Sequence, residues 1–127
     1  MQIHENEISG EVIKICFDIH SNLGPGLLES VYEEILCFEL HQKGFGVERQ
    51  KGVAVFWKDI KMDLGFRPDV IVENKVIVEL KSVDLIPKSY PKILLTYLRL
   101  TNIKLGLLIN FNEALLKDGI TRVVNNL

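Results

Sequence analysis

Little in this chain points to a staple, a leader or a membrane. Its 127 residues include two cysteines, four prolines, one tryptophan and three histidines. Two cysteines without paired spacing exclude a disulfide framework and a zinc ribbon, so Cys16 and Cys37, both in helical-looking stretches, read as buried free thiols in a reducing compartment. His4, His20 and His41 lack the spacing of a zinc site, and His20 reads as structural or capping. No apolar run approaches the roughly 20 residues that cross a bilayer, and no basic and apolar leader opens the chain. The expected location is the cytoplasm, with no membrane partner. Ser21, Ser30 and Ser82 have no evident His and Asp to form a triad. Gly24-Pro25-Gly26 lacks the glycine spacing and lysine of a phosphate loop. No repeats, linkers or low-complexity segments divide residues 1–127, and 47% hydrophobic content suits one domain with a core.

Acidic residues are scarce where basic ones collect. The net charge is −2, yet residues 1–46 hold eight acids and two bases, and residues 47–127 hold nine acids and thirteen bases. Between Ile86 and Gly106 there are Lys88, Lys92, Arg99 and Lys104 and no acid. Such a stretch is either a solvated helix face or a patch that attracts polyanions by counterion release.

The hydrophobic periods order the elements. Ile8, Val12, Ile15, Cys16 and Ile19 define an amphipathic helix over 5–20, followed by a break over 21–26. A second helix spans 27–43, with Leu27, Val31, Ile35 and Phe38 as its main apolar stripe; Glu29 shares the angular position of Leu36 and Leu40, with Tyr32 beside them. Residues 47–57, 62–72 and 75–81 read as an antiparallel meander whose third strand sits centrally, with Phe56 and Trp57 in the sheet core. Ser89 is expected to cap a mostly buried helix from Tyr90, on which Lys92, Thr96 and Arg99 form a narrow polar stripe. Residues 105–110 form a strand covered on both faces, and 120–124 a short strand in the tail.

Three carboxylates and a lysine carry the chemistry. Pro68-Asp69 precedes one apolar run, and Glu79-Leu80-Lys81 closes the next. A period of two turns Glu79 and Lys81 to one face, away from Val76, Val78 and Leu80. A two-residue turn at Glu73-Asn74 would pair Asp69 with Val78. A three-residue loop Glu73-Asn74-Lys75, with Asn74 tolerating a positive φ, pairs Asp69 with Glu79 instead. Only the second register builds a site. Opposed carboxylates repel and raise each other's proton affinity, and a hard cation with oxygen ligands resolves the conflict.

These strings resemble the PD-(D/E)xK nuclease superfamily, and Gly26, Glu29 and Tyr32 resemble the family named for its GxxExxY motif. The likeness runs from about Ile8 to about Val124 and includes Leu95-Thr96-Tyr97-Leu98 and Gly106 to Phe111. It implies an α/β restriction-endonuclease-like core, a mixed sheet with a three-stranded antiparallel meander flanked by helices. It further implies that Glu29 joins Asp69, Glu79 and the backbone carbonyl of Leu80 in holding Mg²⁺ or Mn²⁺, with Lys81 beside them. Related sequences carry a glutamine four residues before the helical tyrosine, where this chain has Ile93 before Tyr97.

The expected function is metal-dependent hydrolysis of nucleic-acid phosphodiesters, with Asp69, Glu79 and Lys81 catalytic. Arg67, Lys88, Lys92 and Arg99 are the expected contacts to DNA or RNA, and Tyr32 and Tyr97 are expected to line the site. Substrate choice at this size points to a partner or a homodimer. The runner-up is a nonenzymatic nuclease-fold module that binds nucleic acid or protein, which Ile93 favours. A third reading takes the Glu79 and Lys81 pair as decoration of a strand.

Overall fold

In this computed structural model, residues 3–127 are described, with every side chain except those of Asp63 and Leu64. Two helices lead, α1 (Glu5–Leu23) and α2 (Glu29–Gln42). The strands β1 (Val47–Arg49), β2 (Val53–Trp57), β3 (Ile60–Phe66), β4 (Val70–Val72) and β5 (Val76–Lys81) follow. Helix α3 (Ser89–Thr101) then leads to β6 (Leu105–Asn110) and β7 (Ile120–Val124). The main sheet has the order β1-β4-β5-β6-β7, with β5 parallel to β6 and the other neighbours antiparallel. Strand β5 is central, as the sequence implied, because its alternation and that of β6 bury both faces.

One face carries α1 and α2. Ile8, Val12, Tyr32, Leu36 and Leu40 pack there with Val70, Val72, Val76, Val78 and Leu80. The other face carries α3, with Leu94 and Leu98 against Ile71, Ile77 and Leu108. Helix α3 approaches closely at Gly106, where an added Cβ would lie 3.0 Å from Leu94 Cδ2. The loop into α2 turns at Gly24, whose φ of 73° suits a residue without Cβ.

The meander is broken where the sequence reads as continuous. Gln50, at φ 51°, interrupts the first long strand, and Arg67-Pro68-Asp69 interrupts the second. Their outer halves, β2 and β3, leave the sheet as a separate two-stranded ribbon. Pro68 has no N–H to donate to a ladder, which suits a break at that point. Phe56 and Trp57 lie on this ribbon and are 46% and 58% exposed, so they are not sheet core.

Two helices also differ from expectation. In α2 the buried stripe is Tyr32, Leu36, Cys37 and Leu40, whereas Val31 and Phe38 face outward. The sheet face is met by Tyr32, Leu36 and Leu40, and of the expected stripe Ile35 packs against that cluster only in part. In α3 only Leu94 and Leu98 are buried, since the helix meets the sheet face through that one stripe. Ser89 is its first residue and not a cap; Lys88 is the N-cap, with no side-chain capping bond. No described helix is long and apolar enough to cross a membrane. Cys16 and Cys37 are free and buried, and burial raises both thiols well above their ordinary range. His20 is structural, its Nε2 lying 2.8 Å from the Glu113 carbonyl.

Candidate active site

The hairpin between β4 and β5 sets the geometry. Val72 pairs with Val76, Ile71 with Ile77 and Val70 with Val78, which leaves Glu73-Asn74-Lys75 as a three-residue loop. Glu73 and Asn74 take φ of 54° and 55°, and the Lys75 N–H donates to the Val72 carbonyl at 3.0 Å. Extending this register by one step sets Asp69 opposite Glu79. Both then face α3, on the same side as Ile71 and Ile77.

Asp69, Glu79 and Lys81 line one cavity of about 300 Å³, with Arg67, Phe66, Tyr90, Ile93 and Tyr97 among its walls. Asp69 is held at both carboxylate oxygens. Oδ2 accepts from the Leu80 N–H at 2.8 Å, and Oδ1 accepts from Gln50 Nε2 at 3.1 Å. The same amide donates to Glu33 Oε1 at 2.9 Å, and Arg49 donates to Glu33 Oε2 through Nε at 3.1 Å and Nη2 at 2.9 Å. Each Asp69 oxygen therefore has one donor, and its direction is fixed by two elements.

Glu79 is treated differently. Its Oε1 is buried and has no hydrogen-bond partner among the described residues. Burial, and then the charge of Asp69, push its carboxyl up to about 8, with Lys81 opposing. The opposing Asp69 carboxylate brings no proton of its own, so the orphaned Oε1 calls for a proton or a cation. This donor set fits a divalent ion. Mg²⁺ takes one or two carboxylates and keeps several waters, so Asp69 and Glu79 suffice on the protein side.

The expected third carboxylate is not brought to this pair. Helix α2 covers the opposite sheet face, and Glu29 reaches the end of β5 from there, its Oε2 accepting from the Ser82 N–H at 3.0 Å. It lines a neighbouring cavity with Ser82, Asp84 and Asn112. Among the described residues, no three His, Cys, Asp or Glu side chains cluster closely enough to hold an ion.

Tyr32 is likewise corrected. It is fully buried, stacks on Phe111 with centroids 4.1 Å apart, and donates its hydroxyl proton to the Gly24 carbonyl at 2.7 Å while accepting from the Leu27 N–H at 3.2 Å. Its work is to close the loop that starts α2, and it is not among the residues that line the Asp69 and Glu79 cavity. Tyr97 does face the cavity, stacked on Phe66 with centroids 4.0 Å apart. Lys88, Lys92 and Arg99 are exposed on or beside α3 and lie outside the cavity wall.

Sequence reasoning missed two aromatic cavity residues, the aliphatic Leu94 and Leu108 at its base, and one support. Tyr90 places its ring 5.5 Å from Lys81 Nζ, a cation–π contact. Its spacing of three from Ile93 and seven from Tyr97 was the available signal, since such residues share a helical stripe. Phe66 had no comparable signal. Gln50 lay inside a run read as unbroken strand.

A family model described as the PD-(D/E)XK nuclease superfamily matches residues 6–123. No curated protein and no solved structure matches the chain at a significant level. The match spans both helices of the first layer, the hairpin that carries Asp69 and Glu79, and the parallel strand beyond it. On that match, the chain belongs to the PD-(D/E)XK nuclease superfamily.

Proposed function

We propose that the cavity hydrolyses phosphodiester bonds of nucleic acid with the help of Mg²⁺ or Mn²⁺. The observation that carries this reading is the buried, unpartnered Glu79 Oε1 beside Asp69. A structural carboxylate so placed is costly unless it has a ligand. Asp69 and Glu79 would hold the ion, with the Leu80 carbonyl as a further oxygen donor. When bound there, a divalent cation supplies Lewis-acid polarisation of the phosphate and acidifies water.

The chain's own residues account for the remaining chemistry. Lys81, on the same strand face as Glu79, orients the attacking water and offsets negative charge that develops on the phosphoryl oxygens. A lysine fits as a compact point charge, and the Tyr90 ring holds that ammonium toward the cavity. Arg67 presents a guanidinium to a second phosphate oxygen. Glu29 fixes the Ser82 backbone directly after Lys81, and Tyr32 fixes the loop before Glu29. The motif residues Glu29 and Tyr32 thus support the site from behind, which favours placing the chain in the GxxExxY family.

The decisive experiment is cleavage of single-stranded, duplex and branched DNA and RNA with Mg²⁺ or Mn²⁺, beside Asp69→Ala. Cleavage by the native chain that is lost in the variant supports the proposal. Equal binding by both proteins with no cleavage by either would leave a binding module in its place.

A further inference from the structure

The wall opposite the carboxylates is mainly aromatic and aliphatic. Tyr90, Ile93 and Tyr97 line the cavity along one stripe of α3, and Tyr90 and Ile93 are 37% and 48% exposed. A phosphate oxygen calls for N–H or O–H donors, which on this wall come only from the two tyrosine hydroxyls; Ile93 offers none, and the Tyr90 ring face, turned to Lys81, and the Ile93 side chain are surface of another kind. Exposed apolar and aromatic surface directly beside two cationic side chains, Arg67 and Lys81, is the combination that binds unpaired nucleic acid. The charges take the backbone, and flat surfaces take the faces of bases. A duplex keeps its base faces stacked inside and would set a charged backbone against Ile93.

We propose that the cavity takes an unpaired stretch of DNA or RNA, and that Tyr90 and Ile93 form the platform for the base next to the reacting phosphate. This rests on the phosphodiesterase reading above and names its substrate class. Tyr90 serves twice, with one face toward Lys81 and the exposed part of its ring toward the base. Ile93, one helical turn on, extends the same surface. Every base has a π face, so the platform selects unpaired strands without selecting sequence.

The test uses the full-length protein, without divalent metal so that nothing is cut, and short oligonucleotides carrying 2-aminopurine. Single strands, their perfect duplexes and hairpins with an unpaired loop are compared, each as DNA and as RNA. Single strands and loops are expected to bind at least tenfold more tightly than duplexes, with quenched 2-aminopurine emission on binding. Tyr90→Ala is expected to weaken single-strand binding roughly tenfold or more and relieve the quenching, with duplex binding weakened far less, by no more than the loosened Lys81 accounts for. Tyr90→Phe should retain both, and Ile93→Ala should reproduce part of the loss. Both positions are partly exposed, so the variants are expected to fold, which far-UV circular dichroism checks.

Equal affinity for duplex and single strands, or unchanged quenching in Tyr90→Ala, would overturn the platform. Hydrolysis in the presence of metal would then still stand on the Asp69 comparison. Selective binding of single strands without cleavage would overturn hydrolysis and support the platform. The DNA and RNA arms identify the preferred sugar.

Discussion

Gln50 grips Asp69 twice, its backbone N–H on the Asp69 carbonyl at 3.0 Å and its side-chain amide on Oδ1 at 3.1 Å. The amide cannot drift, because Glu33 accepts from the same nitrogen and is itself held by Arg49. Arg49 in turn contacts Glu34 at 2.6 Å. The chain of contacts links the surface of α2 to the carboxylate that faces Glu79.

Replacing Gln50 by leucine should therefore release Asp69 Oδ1 and leave Glu33 with one donor fewer. Outer-shell partners of metal ligands typically contribute about 10–100-fold in affinity, so Mn²⁺ binding measured by calorimetry should weaken within that range. Thermal stability should fall far less, since Gln50 is exposed. Gln50→Glu should be worse than leucine for metal-free stability, because it adds a third acid beside Asp69 and Glu33.

Glu79 makes the metal-free protein sensitive to pH in an unusual direction. Its carboxyl titrates near 8 when folded and near the ordinary 4.5 when unfolded. Between these values the folded state binds more protons than the unfolded one. The stability that Glu79 contributes is therefore complete below about 4.5 and is lost as pH rises through about 8. Metal-free Tm should fall across that window, and Glu79→Gln should remove this part of the fall. A divalent ion must displace the proton, so the Tm gain from Mg²⁺ or Mn²⁺ should grow from pH 6 to 9 and vanish in Glu79→Gln. Scanning fluorimetry over pH with and without metal checks both signs.

What the sequence disclosed and what it hid follow from the range of the forces involved. The alternation of Val76, Val78 and Leu80 against Glu79 and Lys81 is local, so the cavity-facing side of β5 was legible. The three-residue loop was legible as well, because Asn74 tolerates a positive φ. The facing of α2 was not, since Leu27-Val31-Ile35-Phe38 and Tyr32-Leu36-Leu40 are both apolar stripes and only the sheet decides between them. That choice placed Tyr32 in the core and sent Glu29 to the Ser82 N–H. The polar links from Arg49 to Asp69 join residues 16 to 19 positions apart, through side chains that no period reveals.

The burial of Tyr32 gives a separate prediction. Tyr32→Phe keeps the stack on Phe111 and removes the hydroxyl between Gly24 and Leu27. Urea unfolding should show a loss of about 1 kcal/mol, the net contribution of hydrogen bonds that are only partly buried. Metal affinity at a temperature where the variant is folded should be nearly unchanged. A selective loss of metal affinity would instead return Tyr32 to the site.

The basic side chains of α3 provide the last prediction. Lys92 and Arg99 are exposed, lie on the polar stripe with Thr96, and have no salt bridge among the described residues. Neither lines the cavity, so a role for them is long-range attraction or contact with phosphates on either side of the reacting one. Replacing both with glutamine should weaken nucleic-acid binding about equally across sequences. It should also reduce the slope of log affinity against log salt by about 1.4 for single strands, two charges at roughly 0.7 each. The fold should be unaffected, because α3 is anchored through Leu94 and Leu98 on its other side. The measurement is a salt titration of binding by anisotropy. An unchanged slope would make the stripe a solvated face and leave phosphate contact to Arg67 and Lys81.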